Sequence, residues 1–253
     1  MSIAFFDIDG TLATGRDVPE SAEQALARMR ALGHLVFICT GRPRMYAERN
    51  FGRYADGFVC CNGRYAFRGD ETVLNASLSP EQIRSLSATL DSVDCGYAFL
   101  SKWGAHYCGN PAYRHIAYEV WGDDLHDGVD PDADEVFCFD VYFKDADHRA
   151  RITDALRDTC LVNPHGPHPS ADVTILGADK GDAIRHVAER LGFSDDEVFA
   201  FGDGVNDLPM IVVAGHGVAM GNAVDELKAA AEYVTTDIDD DGIKNALAHY
   251  GLI

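Results

Sequence analysis

Short apolar runs and segments of helical period alternate at both ends of the chain. Ile3 to Phe6 is an unbroken apolar run that reads as a buried strand. From Pro19 to Leu32, the residues Ala22, Ala25, Leu26, Met29 and Leu32 recur at helical spacing before Gly33 ends the segment. A second apolar run, Leu35 to Cys39, follows at once. Strand, helix, strand within so short a span predicts a βαβ unit of a parallel sheet, in which ligands sit at the carboxyl ends of the strands.

The same rhythm returns late. Asp182 to Leu191 carries Ile184, Val187, Ala188 and Leu191 on one helical face, and the strand Val198 to Phe201 leads into a helical segment from Asn206 to Ala214. Gly217 to Met220 and Tyr233 to Thr235 read as closing strands, and Gly242 to Tyr250 as a last helix. Two distant stretches, residues 1–78 and 173–253, thus predict one α/β sheet.

Residues 79–172 have a different texture. Ser79-Pro80-Glu81-Gln82 is a capping-box start for a helix to Leu90. Cys95 to Leu100 and Val136 to Phe143 read as strands, the second placing Phe137, Phe139, Val141 and Phe143 on one side, and Asp147 to Arg157 reads as a helix. The pattern predicts an inserted α+β domain. The acidic run Asp237 to Asp241 reads as a solvated loop and helix start.

Charge narrows the partners. Asp and Glu outnumber Lys and Arg 41 to 21, for a net charge of −20, which argues against a surface for nucleic-acid backbones. An acidic protein still binds a phosphate ester where a divalent cation reverses the local field. No stretch is long enough to span a bilayer, and Met1 to Phe6 runs into a strand without a basic start or long apolar segment, so a cytosolic protein is expected. Seven scattered cysteines without a C-x-x-C pair suggest neither a disulfide framework nor a zinc site.

Three sheet-edge motifs carry the chemistry. Asp7-Ile8-Asp9-Gly10-Thr11 leaves the first strand with two carboxylates two residues apart. Like charges so close suggest a Mg²⁺ site, an acid/base couple or both, although an Asp that merely caps a turn explains a lone D-x-D. The second strand ends in Thr40-Gly41-Arg42, whose hydroxyl and backbone N–H groups suit a phosphoryl oxygen but also suit an ordinary turn. Gly202-Asp203-Gly204-Val205-Asn206-Asp207 brings two more carboxylates to a strand end, and Lys180, just before a helix in Ala178-Asp179-Lys180-Gly181-Asp182, offers a compact positive charge. Mg²⁺ takes hard oxygen ligands of this kind.

Together DIDGT from Asp7, Thr40-Gly41-Arg42, Lys180 and GDGVND from Asp203, in that order, resemble the haloacid dehalogenase superfamily and within it the Cof-type phosphatases with a class IIB cap. Asn62-Gly63 and Asp241-Gly242-Ile243 add to the likeness. The resemblance implies a Rossmann-like parallel core with helices on both faces and a cap at 79–172 that selects the substrate. It implies a Mg²⁺-dependent phosphatase for a small phosphate ester, a sugar phosphate by analogy, with Asp7 as nucleophile and Asp9 as general acid and base. Thr40, Gly41, Arg42, Lys180 and Asn206 would meet the phosphate. Asp7, the Asp9 backbone carbonyl and Asp203 would hold the metal, with Asp207 behind them or exchanging duties with Asp203. The Asp at position 9 points away from dehalogenases and ion pumps within the superfamily. A sugar phosphomutase and a non-catalytic phospho-ligand binder remain the alternatives. Arg44 and Asn62 near strand ends, and Trp103, His106, Tyr107 and Arg114 in the insert, are further substrate candidates, against surface or core roles. His165 and His168 sit in a proline-rich tract that reads as a hinge back into the core.

Overall fold

The computed structural model describes residues 1–177 and 179–253; Ala178, in the stretch expected just before the Lys180 helix, lies outside the described residues. The chain runs β1 (Ile3–Phe6), α1 (Glu20–Ala31), β2 (Leu35–Cys39), α2 (Arg44–Phe51), β3 (Gly57–Cys60), β4 (Tyr65–Arg68) and β5 (Glu71–Asn75). It continues through α3 (Pro80–Ser92), β6 (Gly96–Ser101), β7 (Ala105–Gly109), α4 (Arg114–Trp121), β8 (Leu125–Asp127), β9 (Val136–Tyr142), α5 (Ala146–Leu156), β10 (Cys160–Pro164) and β11 (Ser170–Ile175). It ends with α6 (Lys180–Leu191), β12 (Val198–Gly202), α7 (Leu208–Val213), β13 (His216–Ala219), α8 (Asp225–Ala230), β14 (Tyr233–Val234) and α9 (Gly242–His249). Two compact units result: Met1–Arg42, Tyr46–Asn75 and Ala178–Ile253 form one, and Pro43–Met45 with Ala76–Gly177 the other.

The first unit is an eight-stranded sheet in the order β14-β13-β12-β1-β2-β3-β4-β5. Its first six strands pair in parallel, as the sequence rhythm predicts. The last two extend it antiparallel, so the sheet is mixed. That hairpin turns on Gly69-Asp70, with Gly69 left-handed, a two-residue signal available in the sequence but not used above. β1 lies between β2 and β12 with all four residues fully buried, and Phe6 stacks on Phe201 at 4.4 Å. The chain therefore reverses direction of travel across the sheet beside β1, which opens a crevice at the carboxyl edge. α1 packs on α9 and α6 on α7, each pair against the sheet.

The second unit is a six-stranded sheet, β10-β11-β9-β6-β7-β8. Ile83, Leu86 and Leu90 of α3 and Ile152 and Leu156 of α5 cover Phe99, Phe139, Val141 and Phe143. Phe137 does not join them. The register slips between Leu100 and Ser101, so Val136 takes the core position. The opposite face of β9 is buried too: Trp121 of α4 donates its indole N–H to Asp140 at 3.2 Å and to the Tyr142 hydroxyl at 3.0 Å.

Several boundaries move for identifiable reasons. α6 begins at Lys180, not Asp182, because the Asp179 carboxylate accepts from the Asp182 N–H at 2.9 Å and caps the helix. The expected division at 172/173 falls inside β11, which pairs with β9 and β10 as far as Ile175. The proline-rich tract is not a hinge: it is the turn of the β10–β11 hairpin, where the Ser170 hydroxyl lies 2.8 Å from His165 Nδ1 and 2.7 Å from His168 Nδ1. Tyr107 is core, but Trp103 is 65% exposed, and Arg114 pairs with Asp127 at 2.8 Å. All seven cysteines are free. Among the described residues, no helix is long and apolar enough to cross a membrane.

The capping box at Ser79 forms as expected, with Gln82 N–H on the Ser79 hydroxyl at 3.2 Å and Ser79 N–H on the Gln82 side chain at 2.9 Å. Ser79→Ala is expected to cost about 1 kcal/mol, read in calorimetry as a fall in melting temperature of about 2–4 °C. An unchanged melting temperature would contradict this.

Candidate active site

Every chemistry-bearing motif of the first unit leaves the same sheet edge. Asp7 follows β1, Thr40 follows β2, and Asp203 follows β12. Because these strands are parallel neighbours, with Phe6 level with Ile38 and Phe201, their loops emerge side by side. Lys180 reaches the group from the first turn of α6.

The Lys180 ammonium, 1% exposed, donates to Asp7 Oδ1 and to Asp207 Oδ1, both at 2.6 Å. The other oxygen of Asp207 accepts the backbone N–H groups of Asp203 and Gly204, each at 3.0 Å. Asp203 Oδ1 accepts from the Thr11 hydroxyl at 2.8 Å. One oxygen each from Asp7, Asp203 and Asp207 lies within 4.8 Å of the others. Close packing sets this spacing: a Cβ on Gly10, whose φ is +91°, would lie 2.3 Å from Asp203 Oδ2, so only glycine passes there.

Three carboxylates share one ammonium, and the balance shows in their protonation. Burial, reinforced by the Asp207 charge and opposed by Lys180, pushes Asp7 up to about 8. Burial also raises Asp203 to about 6, against the hydrogen bond from Thr11. Burial pulls Lys180 down, but Asp207 and Asp7 overcome it and hold the lysine above its ordinary value. The cluster thus has an excess of negative charge, and hard oxygen donors at this spacing suit a small divalent cation.

Asp9 stands apart from this group. Its side chain is 48% exposed, lies 3.4 Å from Arg42 Nε, and is not one of the three carboxylates that converge. Thr40 is buried, and its hydroxyl accepts the Arg42 N–H at 3.1 Å, which leaves its own proton free to be donated elsewhere. Gly41 lies against Asn62, whose Oδ1 would be 3.1 Å from a Cβ there. Asn206 is exposed and has no side-chain hydrogen bond to the carboxylates among the described residues, so the structure does not join it to the cluster.

Sequence reasoning missed Thr11 as the partner of Asp203, although it lies inside the first motif; it allowed Asn62 a turn role but not that Cys61 (φ 54°), Asn62 (φ 51°) and Gly63 (φ 95°) are all left-handed. A Cβ on Gly63 would sit 2.2 Å from the Asp179 carbonyl, so this turn braces the start of α6 and with it Lys180. Three consecutive left-handed residues are a costly conformation, held here by packing.

An acid cluster with a buried lysine, at the carboxyl edge of a parallel sheet and beside a topological reversal, defines a phosphoryl-transfer class of site. A family profile of haloacid dehalogenase-like hydrolases matches residues 4–247. YkrA of Bacillus subtilis (strain 168) is 32% identical over 266 residues, covering 99% of this chain and 98% of the relative. The 5-amino-6-(5-phospho-D-ribitylamino)uracil phosphatase YcsE of the same organism is 27% identical over 250 residues, covering 97% and 94%. Among solved structures, the haloacid dehalogenase subclass IIB sugar phosphatase BT4131 aligns with a TM-score of 0.81 at 30% identity, covering 100% of both chains. The chain belongs to the haloacid dehalogenase-like hydrolases, and within them it is a phosphatase.

The raised Asp7 value has a testable sign. A carboxyl at about 8 in the folded chain and 3.8 unfolded binds its proton more tightly when folded, so this stability is lost as pH rises through that interval. In chelator, Asp7→Asn should therefore raise the melting temperature at pH 8.5 and change it little at pH 4. An equal shift at both pH values in scanning calorimetry would refute the charge excess.

Proposed function

We propose that the protein is a Mg²⁺-dependent phosphatase of small phosphate monoesters, of the sugar-phosphate class, working through an aspartyl phosphate on Asp7. The observation that carries this reading is the buried Lys180 ammonium held between Asp7 and Asp207 with Asp203 alongside. A surplus of carboxylates converging on one lysine suits a site that receives both a cation and a phosphoryl group.

An Asp7 oxygen attacks phosphorus and the bond from phosphorus to the ester oxygen breaks, while Asp9 gives its proton to the departing alcohol. Asp9, now a carboxylate, takes a proton from water as that water attacks the aspartyl phosphate, which releases inorganic phosphate and restores Asp7. Lys180 and the Thr40 hydroxyl offset charge on the phosphoryl oxygens, and the Gly41 N–H adds a donor beside them, while the Arg42 N–H, bonded to the Thr40 hydroxyl, orients that hydroxyl. Magnesium, when bound, would offset the negative charge shared by the carboxylates and the phosphoryl group. Asp7, Asp203 and the Asp9 backbone carbonyl would hold it. Asp207, both oxygens already taken by Lys180 and two backbone N–H groups, would orient Lys180 and the Asp203 loop instead. Asn206, exposed on the Asp203 loop, would meet the substrate from the solvent side. The second unit takes the part of the inserted cap that selects the leaving group. Likeness to a sugar phosphatase and to a phosphatase of a phosphorylated ribityl compound supports a polyhydroxylated ester.

Phosphate release from a hexose phosphate with Mg²⁺ should cease in Asp7→Asn, and wild-type enzyme quenched in acid during turnover should carry one phosphoryl group on the peptide containing Asp7. Chelation should stop turnover, and added Mg²⁺ should restore it. A folded Asp7→Asn protein with near-wild-type activity, or a rate indifferent to chelator, overturns the reading. Isomerised ester without free phosphate would make the enzyme a mutase.

A further inference from the structure

We propose that Asn222 is a positioning residue that fixes the placement of the proton donor Asp9, an inference that rests on the role given to Asp9 above. Residues 220–224, between β13 and α8, carry none of the groups assigned to the chemistry, yet they are bonded to both acid-bearing loops. Met220 N–H donates to the Gly202 carbonyl and Val224 N–H to the Asp203 carbonyl, both at 3.0 Å. The Asn222 side-chain amide donates to the Gly10 carbonyl at 2.8 Å. The first two bonds are backbone bonds that most residues can supply, whereas the third requires an amide of this length.

The same side chain is anchored from behind. Its oxygen accepts the Ile238 N–H at 2.9 Å, in the loop that leads into α9, and the Gly221 N–H donates to the Thr236 carbonyl at 3.0 Å. Both heads of the amide are thus committed in different directions, one to the nucleophile loop and one to a loop near the end of the chain. An Asp in this place would keep the acceptor for Ile238 and lose the donor for Gly10. A shorter residue would lose both.

The bond falls on the glycine of the loop. Gly10 lacks the Cβ that restricts other residues and sits at φ +91°, directly between Asp9 and Thr11. Thr11 is tied to Asp203, but the half-exposed Asp9 side chain has a long contact to Arg42 at 3.4 Å. Gly10 is anchored on both sides, its N–H donating to the Ala13 carbonyl at 3.0 Å and its carbonyl accepting from Asn222, so Asn222 supplies the one side-chain bond that holds the peptide after Gly10. Freed from Asn222, the loop would keep Asp7 in place through β1 and the turn through the Gly10–Ala13 bond, while the Gly10 carbonyl swung free and Asp9, one residue before it, lost part of its orientation.

The consequence is selective for the leaving group. An alkyl phosphate needs a proton on its departing oxygen, and p-nitrophenyl phosphate, whose nitrophenolate leaves unaided, does not. In Asn222→Asp and Asn222→Ala, kcat/KM for a hexose phosphate should fall about tenfold or more, and kcat/KM for p-nitrophenyl phosphate by less than about threefold. Circular dichroism and melting temperature establish that each variant is folded. Asp9→Asn serves as the reference and should show the same bias, only larger. If Asp9→Asn shows the bias and neither Asn222 variant does, or if the Asn222 variants lose both activities equally, the positioning role is wrong and the reading of Asp9 stands. If Asp9→Asn shows no bias, the role of Asp9 is wrong and the inference falls with it.

Discussion

An ammonium group taken out of water must find compensating charge at hydrogen-bonding distance, or it loses its proton. Lys180 finds it twice, in Asp7 and Asp207, and this three-centre contact is the constraint to which the rest of the first unit answers. It fixes the first turn of α6 against the ends of β1 and β12. It also leaves the carboxylates in surplus, since Asp203 shares the same space and brings no positive partner of its own. A cluster built this way stays short of positive charge until a cation or a proton completes it.

The sheet supplies the precision. Parallel strands in register place three loops at one edge without any loop having to travel, and a few positions without side chains let those loops close on one another. Gly10 admits Asp203, and Gly63 admits the backbone at Asp179. The clustered acids and Lys180 are therefore held by strand ends and a helix start, elements whose positions are determined by the buried interior around Phe6 and Phe201.

Much of this was legible in the chain. The apolar runs of β1, β2 and β12 and the acids that follow them are local patterns, and Lys180 stands out because a helical pattern follows it, although the Asp179 cap that draws it into the first turn went unread. What stayed hidden depends on pairing between remote segments. Phe137 reads as one of four residues on a strand face, but a slipped register, visible only with β6 in place, puts Val136 in the core. The tract around His165 reads as a hinge because prolines interrupt it, whereas its partners are the strands on either side. Trp103 carries no local mark that separates an exposed indole from a core one. Asn222 lies in no motif, and its meaning comes from a carbonyl more than two hundred positions earlier.

The order of strands also bears on how the protein is made. β1 is made well before β12, with the whole second sheet between them in the chain, yet the two are direct neighbours. The second sheet, by contrast, is drawn from one contiguous stretch and can assemble as soon as β11 has been synthesised. Until residue 207 emerges, the nascent polypeptide carries Asp7 beside an open strand edge, so the acid cluster around Lys180 closes only after the whole second sheet has been made.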